Sequence, residues 1–208
     1  MEDKSYNDIR QAVIDKGYTW RDGHNALNLV FERTSDEITN LFTDFFHICY
    51  TSIDGDNCIL TIPATTKAGL VGAILEPVTV EGITGTAIIV PNQYPNVWEW
   101  RNTYDGFSHY PYFHQVGRID YWRDGNKDNH IDHVQEQHGK IFGTHGHRMS
   151  QNDTYGSGKV NNWSLGCMGS PEPEWRKILD LVNYSCSVYG NLFTLTLLES
   201  KDINKKFV

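Results

Sequence analysis

The chain has 208 residues, of which 39% are hydrophobic and 12% aromatic, and its net charge is −8 when the nine His are neutral. This apolar content is enough for one sizeable core, so wholesale disorder is excluded. The acidic balance and the lack of a Lys/Arg-rich run exclude a nucleic-acid binder that works by neutralising phosphates. The sequence contains no run of 18 apolar residues, so no membrane span is predicted. No cofactor is expected either.

The N-terminus is acidic and mixed in character, without the basic-then-apolar layout of a secretory signal. We therefore expect no signal peptide and a protein that is cytoplasmic as synthesised. The four cysteines contain no CxxC pair, which excludes a zinc ribbon or a thioredoxin motif. They are predicted to be free, mostly buried thiols.

In chain order, residues 5–16 predict a short amphipathic helix capped by Ser5 and ended by Gly17. Apolar or alternating runs then predict strands, although residues 36–46 are also compatible with a helix; the runs are 26–31, 40–50, 57–62, 78–80, 86–90, 114–124, 140–149 and 191–199. A long polar loop over 150–162 is of the kind that tends to be functional. Ser170 and Pro171 predict the start of a helix that ends at Gly190.

This order predicts a single α+β domain over 1–208, dominated by β-structure. Residues 1–35 are expected to be an N-terminal extension packed on that domain.

Chemistry-bearing residues concentrate between 143 and 170. His145 and His147 stand at i and i+2, so their imidazoles share one face if the segment is a strand. Cys167 lies between Gly166 and Met168, just ahead of the predicted helix, where the positive N-terminus would favour a thiolate. A Cys thiolate with a His that transfers its proton is an acyl-transfer nucleophile, and backbone N–H groups beside it could bind an oxyanion.

Two pieces of this region resemble the catalytic motif of the L,D-transpeptidase family. They are the segment Phe142-Gly143-Thr144-His145-Gly146-His147-Arg148 and the later Trp163-Ser164-Leu165-Gly166-Cys167. The resemblance is closer to a divergent phage and bacterial branch that has a WSxGC nucleophile motif. It extends more loosely over roughly residues 17–190.

The resemblance implies an L,D-transpeptidase-like mixed sheet and cysteine-dependent acyl transfer on peptidoglycan stem peptides. It assigns Cys167 as nucleophile and His147 as base, with support from Ser164 and with the oxyanion bound by backbone amides near Gly166. Three further residues are expected on the substrate side of the site: His145, Arg148 and Trp163.

Four positions depart from the family pattern, namely His145, Leu165, Met168 and Gly169. The residues that contact the substrate are therefore expected to differ from those of the family. The missing signal peptide favours hydrolysis by a phage endolysin-like enzyme, which would reach the cell wall after release or in a virion. Cross-linking by transpeptidation is the alternative.

Three further interpretations are alternatives to cysteine-dependent acyl transfer. A zinc-dependent hydrolase would use a cluster of His ligands, namely His130, His133, His138, His145 and His147. A calcium loop would use Asp124, Asn126, Asp128 and Asp132, although a solvated turn is the simpler interpretation. A non-catalytic virion or injection-machinery component would keep the fold without the activity.

Overall fold

The first helix forms where the sequence predicts it. In the computed structural model, which describes residues 4–103, 108, 110–150 and 158–203, α1 spans Tyr6–Asp15. The Ser5 hydroxyl accepts a hydrogen bond from the Asp8 amide, and the Asp8 carboxylate accepts one from the Ser5 amide. This capping box satisfies two amides that a helix start leaves without partners. Gly17 follows the last turn with φ +75°, which favours glycine.

Strands dominate the described residues, as predicted. In chain order they are β1 (Asn28–Arg33), β2 (Asp44–Thr51), β3 (Asn57–Ala64), β4 (Thr79–Val80), β5 (Ile83–Thr84), β6 (Thr86–Ile89), β7 (Gln93–Arg101), β8 (Tyr112–Gln115), β9 (Ile119–Asp124), β10 (Gln137–Lys140), β11 (Gly146–Arg148), β12 (Met168–Ser170) and β13 (Leu192–Glu199). The α+β class is therefore confirmed, and the segment 40–50 contributes a strand rather than a helix.

The largest sheet has eight strands in the order β12-β11-β8-β7-β13-β1-β2-β3. Its two end strands are joined because Thr65, directly after β3, exchanges backbone hydrogen bonds of 2.8 and 3.1 Å with Gly169 of β12. β1 runs parallel to β13 and antiparallel to β2 in the interior of this sheet. Residues 28–33 are thus part of the sheet, which corrects the expected extension over 1–35.

Two predicted strands are each divided in two. The run 114–124 contributes β8 to the large sheet and β9 to a three-stranded sheet of order β10-β9-β6. The chain turns at Gly117, where a Cβ would lie 2.7 Å from a Val97 methyl group. The run 140–149 likewise ends β10 at Lys140 and begins β11 only at Gly146. The intervening residues form the connection that reaches Cys167.

The C-terminal helical region also differs from its prediction. It consists of α2 (Glu172–Arg176) and α3 (Leu179–Tyr189), followed after β13 by α4 (Ser200–Ile203). Ser170 is not the helix cap, because it is the last residue of β12 and its buried hydroxyl has no hydrogen-bond partner. Instead, the Ser150 hydroxyl accepts from the Glu172 amide at 2.8 Å. A π-helical turn at Val71–Leu75 was not predicted.

The two faces of the large sheet are covered differently. On one face, aromatic rings from β7, β8 and α2 form the centre of the core, with Trp98 stacked on Phe113 at 5.3 Å and Trp175 against Phe113 at 5.9 Å. On the other face, α1 packs its Ile9 and Val13 on the same cluster as residues of β1, β2 and β13. The strands β11 and β12 therefore sit at the α2 side of a rigid, close-packed core.

All four cysteines are free thiols, as predicted, but only Cys49 is buried and the other three are partly exposed, so the expectation of mostly buried thiols is wrong. In the part of the chain that the structure describes, no helix combines the length and apolar character needed to cross a membrane.

Candidate active site

A cavity of about 600 Å³ lies beside β11 and β12. Cys167 and His147 both line it, as do Arg148 and Trp163. Four of the residues singled out from the sequence are thus brought to one cavity, although up to 20 positions separate them along the chain. Their convergence is a property of the strand pairing and not of local sequence.

The register of β11 and β12 places the thiol and the imidazole on one side. The strands are parallel, with Gly146 paired to Met168 and His147 paired to Gly169. Cys167 stands two residues before Gly169, so its side chain points to the same face as His147. The opposite face is occupied by the core, since a Cβ on Gly146 would meet Trp98 and Phe113 at 3.1 to 3.2 Å.

One hydrogen bond fixes the tautomer of His147. Its Nδ1 lies 2.6 Å from the carbonyl oxygen of Arg148. A carbonyl oxygen only accepts, so Nδ1 carries the proton and Nε2 is the nitrogen that can receive one. Burial lowers the pKa of His147 to about 4, because the charged form is poorly solvated there. The imidazole is therefore neutral at neutral pH.

The Cys167 thiol contacts backbone groups of the segment before β11. The His145 amide donates to Sγ at 3.3 Å, and Sγ lies 3.7 Å from the Gly143 carbonyl oxygen. Burial raises the pKa of Cys167 to about 11, although the His145 amide acts in the opposite direction. The expected helix N-terminus does not lower it, because β12 rather than a helix follows Cys167. The Cys167 side chain is therefore a protonated thiol at neutral pH, and it could act as a nucleophile only if a base removed its proton.

Ser164 and Gly166 shape the turn that presents Cys167. The Ser164 hydroxyl donates to the Cys167 carbonyl at 2.8 Å and accepts from the Gly166 amide at 3.1 Å. Gly166 adopts φ +132°, and a Cβ there would come 2.7 Å from the Ala87 carbonyl oxygen, so only glycine fits. Because its amide already donates to Ser164, the expectation that Gly166 supplies an oxyanion donor is not supported by this geometry.

The His145 imidazole is not among the described groups that line the cavity. It stacks on His114 with ring centres 4.7 Å apart, and its Nδ1 accepts from the Gln115 amide at 3.0 Å. The geometry therefore gives no support to the expected contact of this imidazole with substrate, which stays a prediction. The contribution of His145 to the site is its backbone amide, which meets the thiol.

Gln115 is a supporting residue that the sequence analysis missed. Its Oε1 accepts from the Thr144 amide at 2.9 Å, and its Nε2 donates to the carbonyls of Gly117 and Lys140. These bonds fix the connection between β10 and β11, and so the amide that faces Sγ. The signal available in the sequence was a glutamine at a core-facing position of an alternating run, where a buried amide needs partners.

Arg148 and Trp163 form one wall of the cavity. The Arg148 guanidinium lies 4.1 Å from the Tyr110 ring centre and 6.0 Å from that of Trp163. It also donates to the carboxylate of Glu172 at 2.6 Å. Glu172 is itself buried and also accepts from Arg176 at 2.9 Å, so one carboxylate is shared by two guanidinium groups and holds β11 to α2.

Two of the departures from the family pattern have structural reasons. A Cβ on Gly169 would overlap the carbonyl oxygen of His147, so no side chain fits at this position. Met168 is fully buried in the core and contributes no cavity surface among the described lining. Leu165, in contrast, is exposed and lines the cavity. Residues 151–157 of the predicted functional loop lie outside the described residues.

The metal-site interpretations find no support in the geometry. Within the described ranges, no group of three His, Cys, Asp or Glu side chains is placed so that it could hold a metal ion. Of the proposed zinc ligands, His133 stacks on Trp122 at 4.1 Å and His138 lies near Asp120. The supposed calcium loop is a turn in which Asn126 donates to Asp132 at 2.8 Å.

Comparison with known proteins adds no assignment. No protein-family model, curated protein or solved structure matches this chain.

Proposed function

We propose that this protein is a cysteine-dependent acyl-transfer enzyme that acts on peptidoglycan stem peptides. The observation that carries the proposal is the His147 imidazole, whose Nδ1 proton is held by the Arg148 carbonyl while His147 and the Cys167 thiol line one cavity. A neutral base and a thiol on the same strand face are the parts that nucleophilic acyl transfer requires. The stem-peptide substrate rests on the resemblance of the WSxGC and GxxxHR segments to L,D-transpeptidases.

The proposed reaction begins with attack of Sγ on the carbonyl carbon of a peptide bond. The thiol proton passes to Nε2 of His147 as the carbon–sulfur bond forms. The tetrahedral intermediate collapses when the carbon–nitrogen bond breaks and Nε2 returns the proton to the leaving amine. In hydrolysis, water then attacks the thioester, His147 takes its proton, and that proton returns to sulfur as the acyl group leaves.

The raised pKa of the thiol determines how this step must proceed. A thiol with a pKa of about 11 is protonated at neutral pH, so proton transfer to His147 has to accompany attack. The His145 amide lies 3.3 Å from Sγ, next to where the oxyanion forms once sulfur bonds to carbon. We assign this amide as an oxyanion donor, held in place by Gln115 through the adjoining Thr144.

Digestion of purified sacculi tests the proposal. Wild-type protein is expected to change the muropeptide profile, and Cys167→Ala is expected to leave it unchanged. The matched control is Cys186→Ala, which removes a thiol on α3 that the site does not use. Products whose summed mass exceeds that of the substrate by one water indicate hydrolysis. New cross-linked dimers indicate transpeptidation.

Two results would overturn the proposal. Equal activity of the wild type and Cys167→Ala would remove the cysteine from the chemistry. An unchanged profile with both proteins would favour the non-catalytic virion or injection-machinery component instead.

A further inference from the structure

Two arginines line the cavity, and they differ in how their charges are balanced. Arg148 is paired with Glu172 at 2.6 Å. Arg123, on β9, forms no ion pair with any Asp or Glu of the described residues. Its neighbour in sequence, Asp124, follows it on the strand and so points to the other face. Arg148 is the arginine expected on the substrate side from the sequence, but it already has a carboxylate partner within the fold.

Arg123 is held rigidly in the cavity wall. Its side chain is only 2% exposed, and one terminal nitrogen, Nη2, donates to the carbonyls of Val78 at 2.9 Å and Ile83 at 3.3 Å. The Nε–H group is buried and has no hydrogen-bond partner. A buried donor without a partner is rare in folded proteins, and on a cationic side chain it is especially costly.

Arg123 also lies close to the nucleophile. Its guanidinium carbon is 5.2 Å from the ring centre of Phe142, which lines the same cavity. The next residue, Gly143, places its carbonyl oxygen 3.7 Å from the Sγ of Cys167. Two adjacent residues, Phe142 and Gly143, thus contact the Arg123 guanidinium and the Cys167 thiol respectively.

Resting on the function proposed above, we propose that Arg123 binds a free carboxylate on the residue that supplies the acyl group. The substrate class is then a stem peptide whose acyl-donor residue carries a second carboxylate, as a diaminopimelate-type residue does. A carboxylate would give the Nε–H an acceptor and neutralise a buried charge, and a planar guanidinium suits such a pair. Binding that carboxylate would also fix the scissile carbonyl relative to Sγ.

The role is tested with two peptides that differ in one group. The first is L-Ala-γ-D-Glu-meso-diaminopimelyl-D-Ala, and the second is the same peptide with the side-chain carboxyl of diaminopimelate amidated. For the wild type, amidation is expected to lower kcat/KM about 10- to 100-fold, as loss of a charge-assisted pair predicts. In Arg123→Met the two peptides are expected to be used equally, because the discriminating cation is gone.

Folding controls accompany this comparison. Arg123→Lys keeps a charge and a donor if the Met variant fails to fold, and it is expected to retain part of the discrimination. Arg118→Met removes an exposed arginine, bonded to the Gly139 carbonyl, that is not among the cavity-lining groups, and it is expected to keep the full discrimination.

The outcomes separate this inference from the proposed function. If the wild type uses both peptides equally, the role of Arg123 is wrong while the acyl-transfer function stands. If it uses neither peptide, the function fails, and binding of the two peptides to Cys167→Ala then decides the inference. Equal binding, or no binding, in that variant overturns the proposed carboxylate contact.

Discussion

Two histidines on different strands of the large sheet have different surroundings. His147 on β11 uses Nδ1 to donate to a backbone carbonyl and lines the cavity beside Cys167. His47 on β2 is 1% exposed, with Nε2 3.0 Å from the Glu32 carboxylate and Nδ1 2.9 Å from the Thr61 hydroxyl. A hydroxyl, an imidazole and a carboxylate thus line up at His47, in the order of a catalytic triad.

The difference shows that such an order does not make a site. At His47 both ring nitrogens are bonded within the fold, and no cavity described by the structure is lined by this residue. Burial raises the pKa of Glu32, but hydrogen bonds from His47 and Ser200 outweigh this and hold the pKa below its ordinary value. We interpret this group as a structural network that joins β1, β2 and α4, whereas the His147 imidazole lines the cavity with Cys167.

Matched glutamine substitutions should separate the two roles most strongly. His147→Gln is expected to lower kcat/KM about 10²- to 10⁴-fold, since a general base is lost, with little change in stability. His47→Gln is expected to cost about 2 kcal/mol of unfolding free energy, because the buried Glu32 carboxylate loses a partner, while the folded enzyme stays active. Steady-state kinetics and urea unfolding of both variants measure this; the reverse pattern would refute the assignment of roles.

Gly169→Ala should be the next largest effect, because it targets the strand contact that positions His147. The added Cβ overlaps the His147 carbonyl oxygen, so β11 and β12 must separate, at a cost of about 3 kcal/mol. Activity should fall with stability. Gly55→Ala, in an open turn with φ +90°, is the control and should cost about 1 kcal/mol without affecting the folded enzyme's rate. Full activity of Gly169→Ala would contradict the role of the strand register.

The pH dependence tests the state of His147. With its pKa lowered to about 4, the acid limb of kcat/KM should fall near pH 4 rather than near 6.5. The unfolded chain binds more protons than the folded protein between these values, so this group makes stability decrease as pH falls from 6.5 to 4. His147→Gln should lose that part of the stability profile. An acid limb at pH 6.5 would show that the imidazole is solvated.

The smallest expected effects come from removing single hydroxyl groups, one that contacts His47 and one in the turn that presents Cys167. Thr61→Ala should cost about 1 kcal/mol in stability and leave the rate unchanged, because it removes only a bond to His47. Ser164→Ala should cost a similar amount but also lower kcat about 10-fold, since the turn that presents Cys167 loses both of its hydroxyl bonds. Equal rates in the two variants would remove Ser164 from the site.

Local patterns predicted much of the fold. The Ser5 capping box, the β-branched strands and the order of elements all follow from periodicity and turn residues over short stretches. Predictions failed where distant residues decide the outcome. The hydroxyl that accepts from the first amide of α2 belongs to the distant Ser150 rather than to Ser170. β1 is interior because β13, more than 150 residues later, pairs with it.

In the candidate site, too, local sequence features were predicted and features that depend on distant residues were not. The motif residues Cys167 and His147 were chosen from spacing, glycine context and resemblance, and the structure places both on one cavity. The charge state of the thiol was mispredicted because it depends on burial and on the element after Cys167. Gln115 and Arg123 were missed because their importance lies in contacts to segments 25 to 45 positions away.

The most direct test of the central claim is the mass of the protein itself during turnover. Wild-type protein is incubated with the stem tetrapeptide, quenched in acid within seconds, and measured intact and after peptide mapping. An adduct equal in mass to the acyl tripeptide, located on Cys167 and absent from Cys167→Ala, is the predicted result. An adduct on another residue, or product formation with no Cys167 adduct even in His147→Gln, would contradict a thioester mechanism.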